Sequence, residues 1–201
     1  AFIPATRVPG SWDRGYVQSV GGICTVVGDQ LRFYYIGFKG GDSSSYMHSN
    51  GATGMATLRR DGFASMSTTG EGSLTTRPVK FSGKYMFVNV NCPAGELKVE
   101  ILDKNNKVID GFSADKCKAV TIDSTIQQVE WNGASDLSSL AGQEVRFRFK
   151  LKNGDLYAFW VSPSTNGESN GYVAGGGPGY TSNKDTEGKK AYEKASGFQK
   201  F

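Results

Sequence analysis

The sequence predicts an all-β protein, in which an antiparallel β-sandwich is preceded by a four-stranded, propeller-blade-like sheet. Segments such as Glu96–Leu102 and Glu144–Leu151 alternate apolar and charged residues. That period of two is typical of antiparallel strands with one solvated face. Glycine supplies 27 of the 201 residues, and a composition so rich in turn formers argues against long helices.

The chain carries a modest net charge of +4, and its lysines are scattered. Proteins that bind nucleic acid usually concentrate basic residues on one face, so no nucleic-acid partner is expected. No apolar run reaches about 18 residues, which predicts no membrane span. The sequence begins with Ala1 rather than Met and shows no signal peptide. We therefore expect a processed product or a piece of a longer polypeptide.

Metal chemistry is not expected from the cysteine and histidine content. Cys24, Cys92 and Cys117 lack a Cys-x-x-Cys spacing, and His48 is the single histidine. A structural zinc site needs about four nitrogen or sulfur ligands, so neither a metal nor a cofactor is predicted. Cys92 and Cys117 fall near the ends of neighbouring predicted strands and could pair. Three reduced cysteines in the core fit the sequence equally well.

The first third of the chain predicts two consecutive hairpins. Ile23–Val27 and Gln30–Phe38 form the first. Gly54–Leu58 and Phe63–Met66 form the second, around the turn Arg59–Gly62, because an Asp-Gly pair between apolar runs suits a tight turn. Four strands joined in this order would make one meander sheet, which is the size of one blade of a β-propeller.

The rest of the chain predicts more strands and little helix. The expected strands are Leu74–Phe81, Tyr85–Asn91, Glu96–Leu102, Val120–Asp123, Thr125–Trp131, Glu144–Leu151 and Leu156–Val161. Asp103–Lys107 and Asn153–Asp155 read as hairpin turns. Asp136 is a plausible cap for one helical turn over Asp136–Leu140, and Asp185–Ala195 predicts a short terminal helix.

A complete catalytic set is not predicted within this chain. The run Gly175–Gly179 lacks the Gly-Lys-Ser/Thr ending of a phosphate loop. A nucleophilic triad would have to use His48 with an acid such as Asp42. Two glycosidase carboxylates could come from Asp13, Asp42 and Asp61. However, Asp61 is explained by its turn and Asp13 by capping a loop, so no catalytic residue is assigned.

Aromatic and polar residues together predict a sugar-binding surface. Sugars stack their C–H faces on flat rings while their hydroxyls bond to polar side chains. The loops at the ends of the first four strands carry Trp12, Asp13, Arg14, Tyr46, His48 and Asn50. From these we predict Trp12, Asp13, Arg14 and His48 as substrate-binding residues. A structural role, with Trp12 anchoring its loop, fits Trp12 and Asp13 equally well.

Several segments together resemble the C-terminal end of bacterial proteins related to glycoside hydrolase families 32 and 43. These segments are PGSWDRG, VVGDQLRFYYIGF, the His48 loop, TGMATLRRDGFASM, GELKVEILDKNNKVIDGFS and DLSSLAGQEVRFRFKLKNGDLYAFWVS. The likeness extends to about Gly179. In those proteins a five-bladed β-propeller is followed by a β-sandwich.

The resemblance implies that residues 1–69 are the last propeller blade, 70–165 the sandwich and 166–201 a Gly-rich C-terminal extension. It places the catalytic carboxylates in earlier blades, outside this chain. Trp12 and Asp13 then match a blade loop that points at the central pocket, and His48 matches the same rim. The implied ligand is a carbohydrate, the implied partner is the remainder of the parent propeller, and the implied location is secreted or periplasmic.

Two functional hypotheses follow from these expectations. In the first, the chain is the C-terminal part of a glycoside hydrolase-like protein. In the second, it is a non-catalytic carbohydrate-binding or structural module. Arg59 and Arg60 are expected to join the blade to the sandwich rather than to bind a ligand.

Overall fold

A computed structural model describes residues 2–21, 23–41 and 46–198, and it contains two antiparallel sheets and one short α-helix. The all-β prediction is therefore confirmed. The strands are β1 (Tyr16–Ser19), β2 (Thr25–Val27), β3 (Gln30–Phe38), β4 (Gly51–Arg59), β5 (Met66–Thr75), β6 (Tyr85–Asn91), β7 (Glu96–Leu102), β8 (Asp123–Val129) and β9 (Arg146–Ser162). The α-helix, α1, spans Lys189–Ala195.

Sheet A contains β1 to β4 and is centred on β3. One edge of β3 pairs along its whole length with β4, and its other edge is shared by β2 and β1. Side chains alternate along a strand, so β3 defines two faces. We call the side that carries Phe33, Tyr35 and Gly37 the front face, and the side that carries Tyr34 and Phe38 the back face.

The predicted second hairpin is wrong in its pairing. A turn does form, because Gly62 N–H donates to Arg59 O at 2.9 Å and Asp61 has a φ of 53°. However, β4 pairs with β3 in sheet A, whereas the strand after the turn begins at Met66 and pairs with β9 in the other sheet. The four-strand meander is consequently replaced by a crossing of the chain from one sheet to the other.

Sheet B contains β5 to β9, and the 17-residue strand β9 is its centre. β5 pairs with one edge of β9. β6 and β7 occupy successive halves of the other edge, and β8 adds to β6. The strands of residues 66–162 thus belong to one five-stranded sheet. The assignment of sheet A to a propeller blade and of residues 70–165 to a sandwich remains a prediction, and β5 runs across residues 69 and 70.

The predicted hairpin turn at Asn153–Asp155 is also wrong, because β9 continues through it. Asn153 has a φ of 45°, as in a bulge rather than a chain reversal. Partner strands hold the segment on both sides, since Gly154 pairs with Thr68 and Asp155 with Asn91. A Cβ on Gly154 would lie 2.6 Å from Asn91 O, so glycine is required there by close backbone approach.

Some of the remaining local predictions agree with the structure and others do not. The predicted strands Tyr85–Asn91 and Glu96–Leu102 have the observed bounds of β6 and β7. The strand expected at Leu74–Phe81 lies earlier, as β5. A helical turn forms as the 3₁₀ segment Ser138–Leu140, but its N-cap is Leu137 and not the predicted Asp136; Asp136 Oδ1 instead accepts a bond of 2.8 Å from Ser138 N–H in the turn that leads into it. Hydrogen bonds from the Ser138 hydroxyl and then from its backbone N–H lower the pKa of Asp136.

The main core lies on sheet B. Its most buried members include Val88, Leu97, Val99, Phe147 and Phe149. All three cysteines are free thiols, and burial raises the pKa of both Cys92 and Cys117. Within the described residues, none of the helices combines the length and the apolar character needed to cross a membrane.

Candidate functional site

Trp12 lies on the front face of sheet A as part of an aromatic platform. Its ring sits 5.6 Å from the ring of Tyr35, and Trp12 keeps 40% of its surface exposed. The indole can lie against the sheet because Gly37 and Gly54 have no side chain. A Cβ on Gly54 would lie 2.7 Å from Trp12 Cη2, and one on Gly37 would collide with the same ring. The two glycines on neighbouring strands therefore form a flat bed for the indole.

Asp13 lies beneath the platform rather than at its rim. The residue is only 5% exposed, and Thr6 Oγ1 donates to its Oδ2 at 2.9 Å. Its Oδ1 is buried and has no hydrogen-bond donor among the residues that the structure describes. Asp13 thus anchors the N-terminal loop in this conformation, and a sugar hydroxyl does not reach it without movement of Trp12 or of the loop.

Arg14 follows directly and points into solvent. Its side chain forms no hydrogen bond or ion pair with any residue that the structure describes. Its guanidinium is therefore free to donate to a ligand.

His48 lies on the other side of sheet A. Its ring is 4.8 Å from the ring of Tyr16 and 5.4 Å from that of Phe38, edge to face in both cases. Tyr16 and Phe38 are a cross-strand pair on the back face, whereas Trp12 covers Gly37 on the front face. The structure therefore brings Trp12, Asp13 and Arg14 together and separates His48 from them.

The surroundings of His48 do not support a nucleophilic triad. Among the described residues no serine or carboxylate bonds to it, and Asp42, the acid named for a triad or a carboxylate pair, lies outside the described residues. Tyr46 is 85% exposed, and Asn50 adopts a φ of 56° in the same loop. The described residues also contain no group of three His, Cys, Asp or Glu side chains suited to a metal ion.

Arg59 joins the two sheets, as the sequence predicts. Its Nε donates to Asn89 Oδ1 at 2.7 Å, and its Nη2 donates to Val90 O at 3.0 Å. Its Nη1 forms an ion pair with Asp123, and the guanidinium lies 4.7 Å from the centre of the Tyr157 ring. All four partners belong to sheet B, so the side chain is engaged structurally.

Arg60 is buried where sheet A, sheet B and the C-terminal segment meet. Its Nη2 donates to Asp185 Oδ2 at 2.8 Å, and the rings of Tyr180 and Tyr192 lie within 5.7 and 5.4 Å of its guanidinium carbon. Burial alone would lower the pKa of Arg60. The tyrosines and Asp185 outweigh that cost and raise it. Burial in turn raises the pKa of both tyrosines.

A cavity of about 480 Å³ opens beside Arg60. Its walls come from sheet A, from β9 and from the C-terminal segment, and they include Leu31, Phe63, Trp160, Ser169 and Tyr172. Sequence reasoning missed this cavity because its walls come from segments more than a hundred residues apart.

Comparisons with protein-family models, with curated proteins and with solved structures return no match to this chain.

Proposed function

We propose that the chain is the C-terminal part of a secreted or periplasmic glycoside hydrolase-like protein. In this proposal sheet A is the last blade of a β-propeller, and residues 70–165 are an accessory sandwich that braces it. Hydrolysis of the glycosidic bond uses two carboxylates from outside this chain, one as an acid and one as a base or nucleophile. No residue of this chain is assigned a catalytic role.

One observation carries the proposal: sheet A exposes large apolar side chains on both faces. Tyr16, Tyr34 and Met55, all on the back face, are 37%, 42% and 41% exposed, and Trp12 on the front face is 40% exposed. Most other exposed large apolar residues of the described chain also lie before residue 67. Contiguous exposure of this kind marks a surface built to be covered. A propeller blade is covered on both faces, because it packs between two neighbouring blades.

The proposal is tested by comparing the protein isolated from its source with the 201-residue chain. We expect the source protein to have a larger intact mass and to hydrolyse glycosides. We also expect its Tyr16 and Tyr34 to be protected from nitration by tetranitromethane, although both react in the separate chain. Tyr172 is 72% exposed outside sheet A and serves as the control that reacts in both. A source protein of the same mass as this chain, or equal nitration of Tyr16 in the two samples, contradicts the proposal.

The second candidate function is non-catalytic carbohydrate binding at the Trp12 platform. The partly exposed indole favours it, since an exposed ring can stack on a sugar, and the side chain of Arg14, two residues further along the loop, has no partner among the described residues and can supply a donor. In a glycan-binding assay we expect Trp12→Ala to weaken binding by at least about tenfold, which corresponds to about 1.4 kcal/mol.

Tyr172→Ala is the matched control, because it removes an exposed aromatic ring that is not part of the platform. Absence of binding by the unmodified chain, or equal binding by Trp12→Ala, counts against this second function.

A further inference from the structure

Strand β4 presents a long, unprotected sheet edge. Among the described residues its nine residues pair with β3 only, and no bulge interrupts that register. Residues 51–58 contain no charged residue and no proline. Natural sheets usually protect such an edge with lysine, proline, a bulge or a covering segment, because unpaired N–H and C=O groups invite another strand.

The edge strands β5, β1 and β2 differ from β4 in this respect. β5 carries Glu71 and a register shift after Thr68. β1 and β2 contain only four and three residues. Among the described residues, β4 therefore differs from these three edge strands in lacking protection.

The hydrogen bonds at the two ends of β4 show which of its residues bond to β3 and which have backbone groups on the free edge. Arg60 N–H donates to Asp29 O at 2.7 Å, and Lys39 N–H donates to Asn50 O at 3.3 Å. Bonding direction alternates along an antiparallel strand, so the even-numbered residues of β4 bond to β3. The backbone groups of Thr53, Met55 and Thr57 consequently point to the free edge.

We propose that β4 pairs antiparallel with β4 of a second copy of this chain, about a two-fold axis at Met55. In this register Met55 opposes its own symmetry mate, and Thr53 opposes Thr57 of the second copy. Each opposed pair of odd-numbered residues has outward-pointing backbone groups and exchanges two N–H···O=C bonds, and these pairs alternate with non-hydrogen-bonded pairs such as Gly54 with Ala56.

A second copy is the occupant that the sequence of β4 fits. Arg59, the single charged residue of the strand, faces Gly51 of the other copy, so like charges do not meet. Threonine–threonine pairs are favourable across antiparallel strands. Met55 and its cross-strand neighbour Tyr34 are both about two-fifths exposed on the back face, and pairing joins these apolar residues across the axis. A two-fold edge contact is also closed, which avoids an open fibre.

This inference goes beyond the proposed function, and the two can fail separately. The propeller proposal concerns the faces of sheet A, whereas the dimer uses its edge. Tyr16 lies on β1, at the opposite edge of sheet A from β4, and its nitration measures whether the faces of the sheet are covered. Its nitration therefore does not depend on dimer formation.

The test is sedimentation velocity of the full chain across micromolar concentrations, with paired charge variants. We expect the unmodified chain to reach twice its monomer mass. Met55→Lys and Met55→Glu should each raise the dimer dissociation constant at least about tenfold, since like charges then face each other across the axis. Mixing the two variants should restore the dimer, because opposite charges meet.

Gln18→Lys is the matched control, because it adds the same charge to the exposed surface of β1 at the other edge of sheet A. It should dimerise like the unmodified chain. Circular dichroism checks that every variant is folded. A monomeric unmodified chain, a dimer indifferent to both Met55 variants, or a mixture that stays monomeric overturns the proposal.

Discussion

The substitution Asp185→Ala is expected to lower the free energy of unfolding by about 3–5 kcal/mol, the usual cost of removing one partner of a buried ion pair. Asp185 is 1% exposed, and its Oδ2 accepts bonds from Arg60 and from Ser169. Its Oδ1 accepts from the backbone N–H groups of Glu187 and Gly188. Alanine would leave all four donors without an acceptor and the Arg60 charge buried.

Urea unfolding followed by fluorescence measures this loss. Asp110→Ala is the control, since it breaks the ion pair with Lys116 at the surface, where Asp110 is fully exposed, and should leave the transition almost unmoved. The double substitution Arg60→Met with Asp185→Ala should recover part of the stability, because no charge then remains buried. Equal unfolding midpoints for Asp185→Ala and Asp110→Ala would exclude a stabilising role for this ion pair.

The terminal helix predicted at Asp185–Ala195 forms as α1 over Lys189–Ala195, but the packing of the C-terminal segment was not predicted. Residues 166–198 are rich in glycine and polar residues, which suggests a surface extension. In the structure Val173, Ala191 and Ala195 are buried. A Cβ on Gly179 would lie 2.9 Å from Ala191 Cα, so small residues here permit close packing. Composition reports polarity, but it does not report which small residues allow two segments to approach.

Strands were predicted well where the pattern is local and strong. β6 and β7 alternate or run apolar over seven residues, and their bounds match the expectation. The Asp103–Lys107 turn also forms, because Asp103 Oδ1 accepts from Asn105 N–H and Lys107 N–H. In these cases the residues that decide the conformation lie within the segment itself.

Turn residues did not predict the fold correctly where pairing with strands distant in sequence decides the course of the chain. Asp61-Gly62 reverses the chain locally, but pairing with β9 about ninety residues later draws the next strand into sheet B. Asn153-Gly154 has equally good turn residues, yet strands on both sides hold it extended. A hairpin signal specifies the backbone of two residues, and it does not specify the partner of the flanking strands.

In the candidate site, the residues adjacent in sequence were predictable, whereas the residues that strand pairing brings together were not. Trp12, Asp13 and Arg14 are neighbours in sequence, so their proximity required no knowledge of the sheet. His48 shares a sheet end with them but lies on the other face, and loop position does not reveal the face. The platform beneath Trp12 depends on Gly37 and Gly54, whose adjacency follows from the β3–β4 register.

The substitution Phe149→Ala is expected to lower the free energy of unfolding by about 3–5 kcal/mol, through lost burial and a cavity. Phe149 is 1% exposed on the central strand of sheet B, and its ring centre lies 4.9 Å from that of Phe159. It pairs with Leu74 on one side and Val99 on the other, so three strands pack around it. Few neighbours can move inward to fill the space.

Urea unfolding of two further variants makes the test specific. Phe63→Ala removes the same atoms from a ring that is 64% exposed, and it should cost much less because water already reaches that ring. Phe149→Leu should fall between the unmodified chain and Phe149→Ala, since leucine refills part of the cavity. If Phe149→Ala cost no more than Phe63→Ala, the centre of the core would lie away from β9, and β9 would not be the strand that organises sheet B.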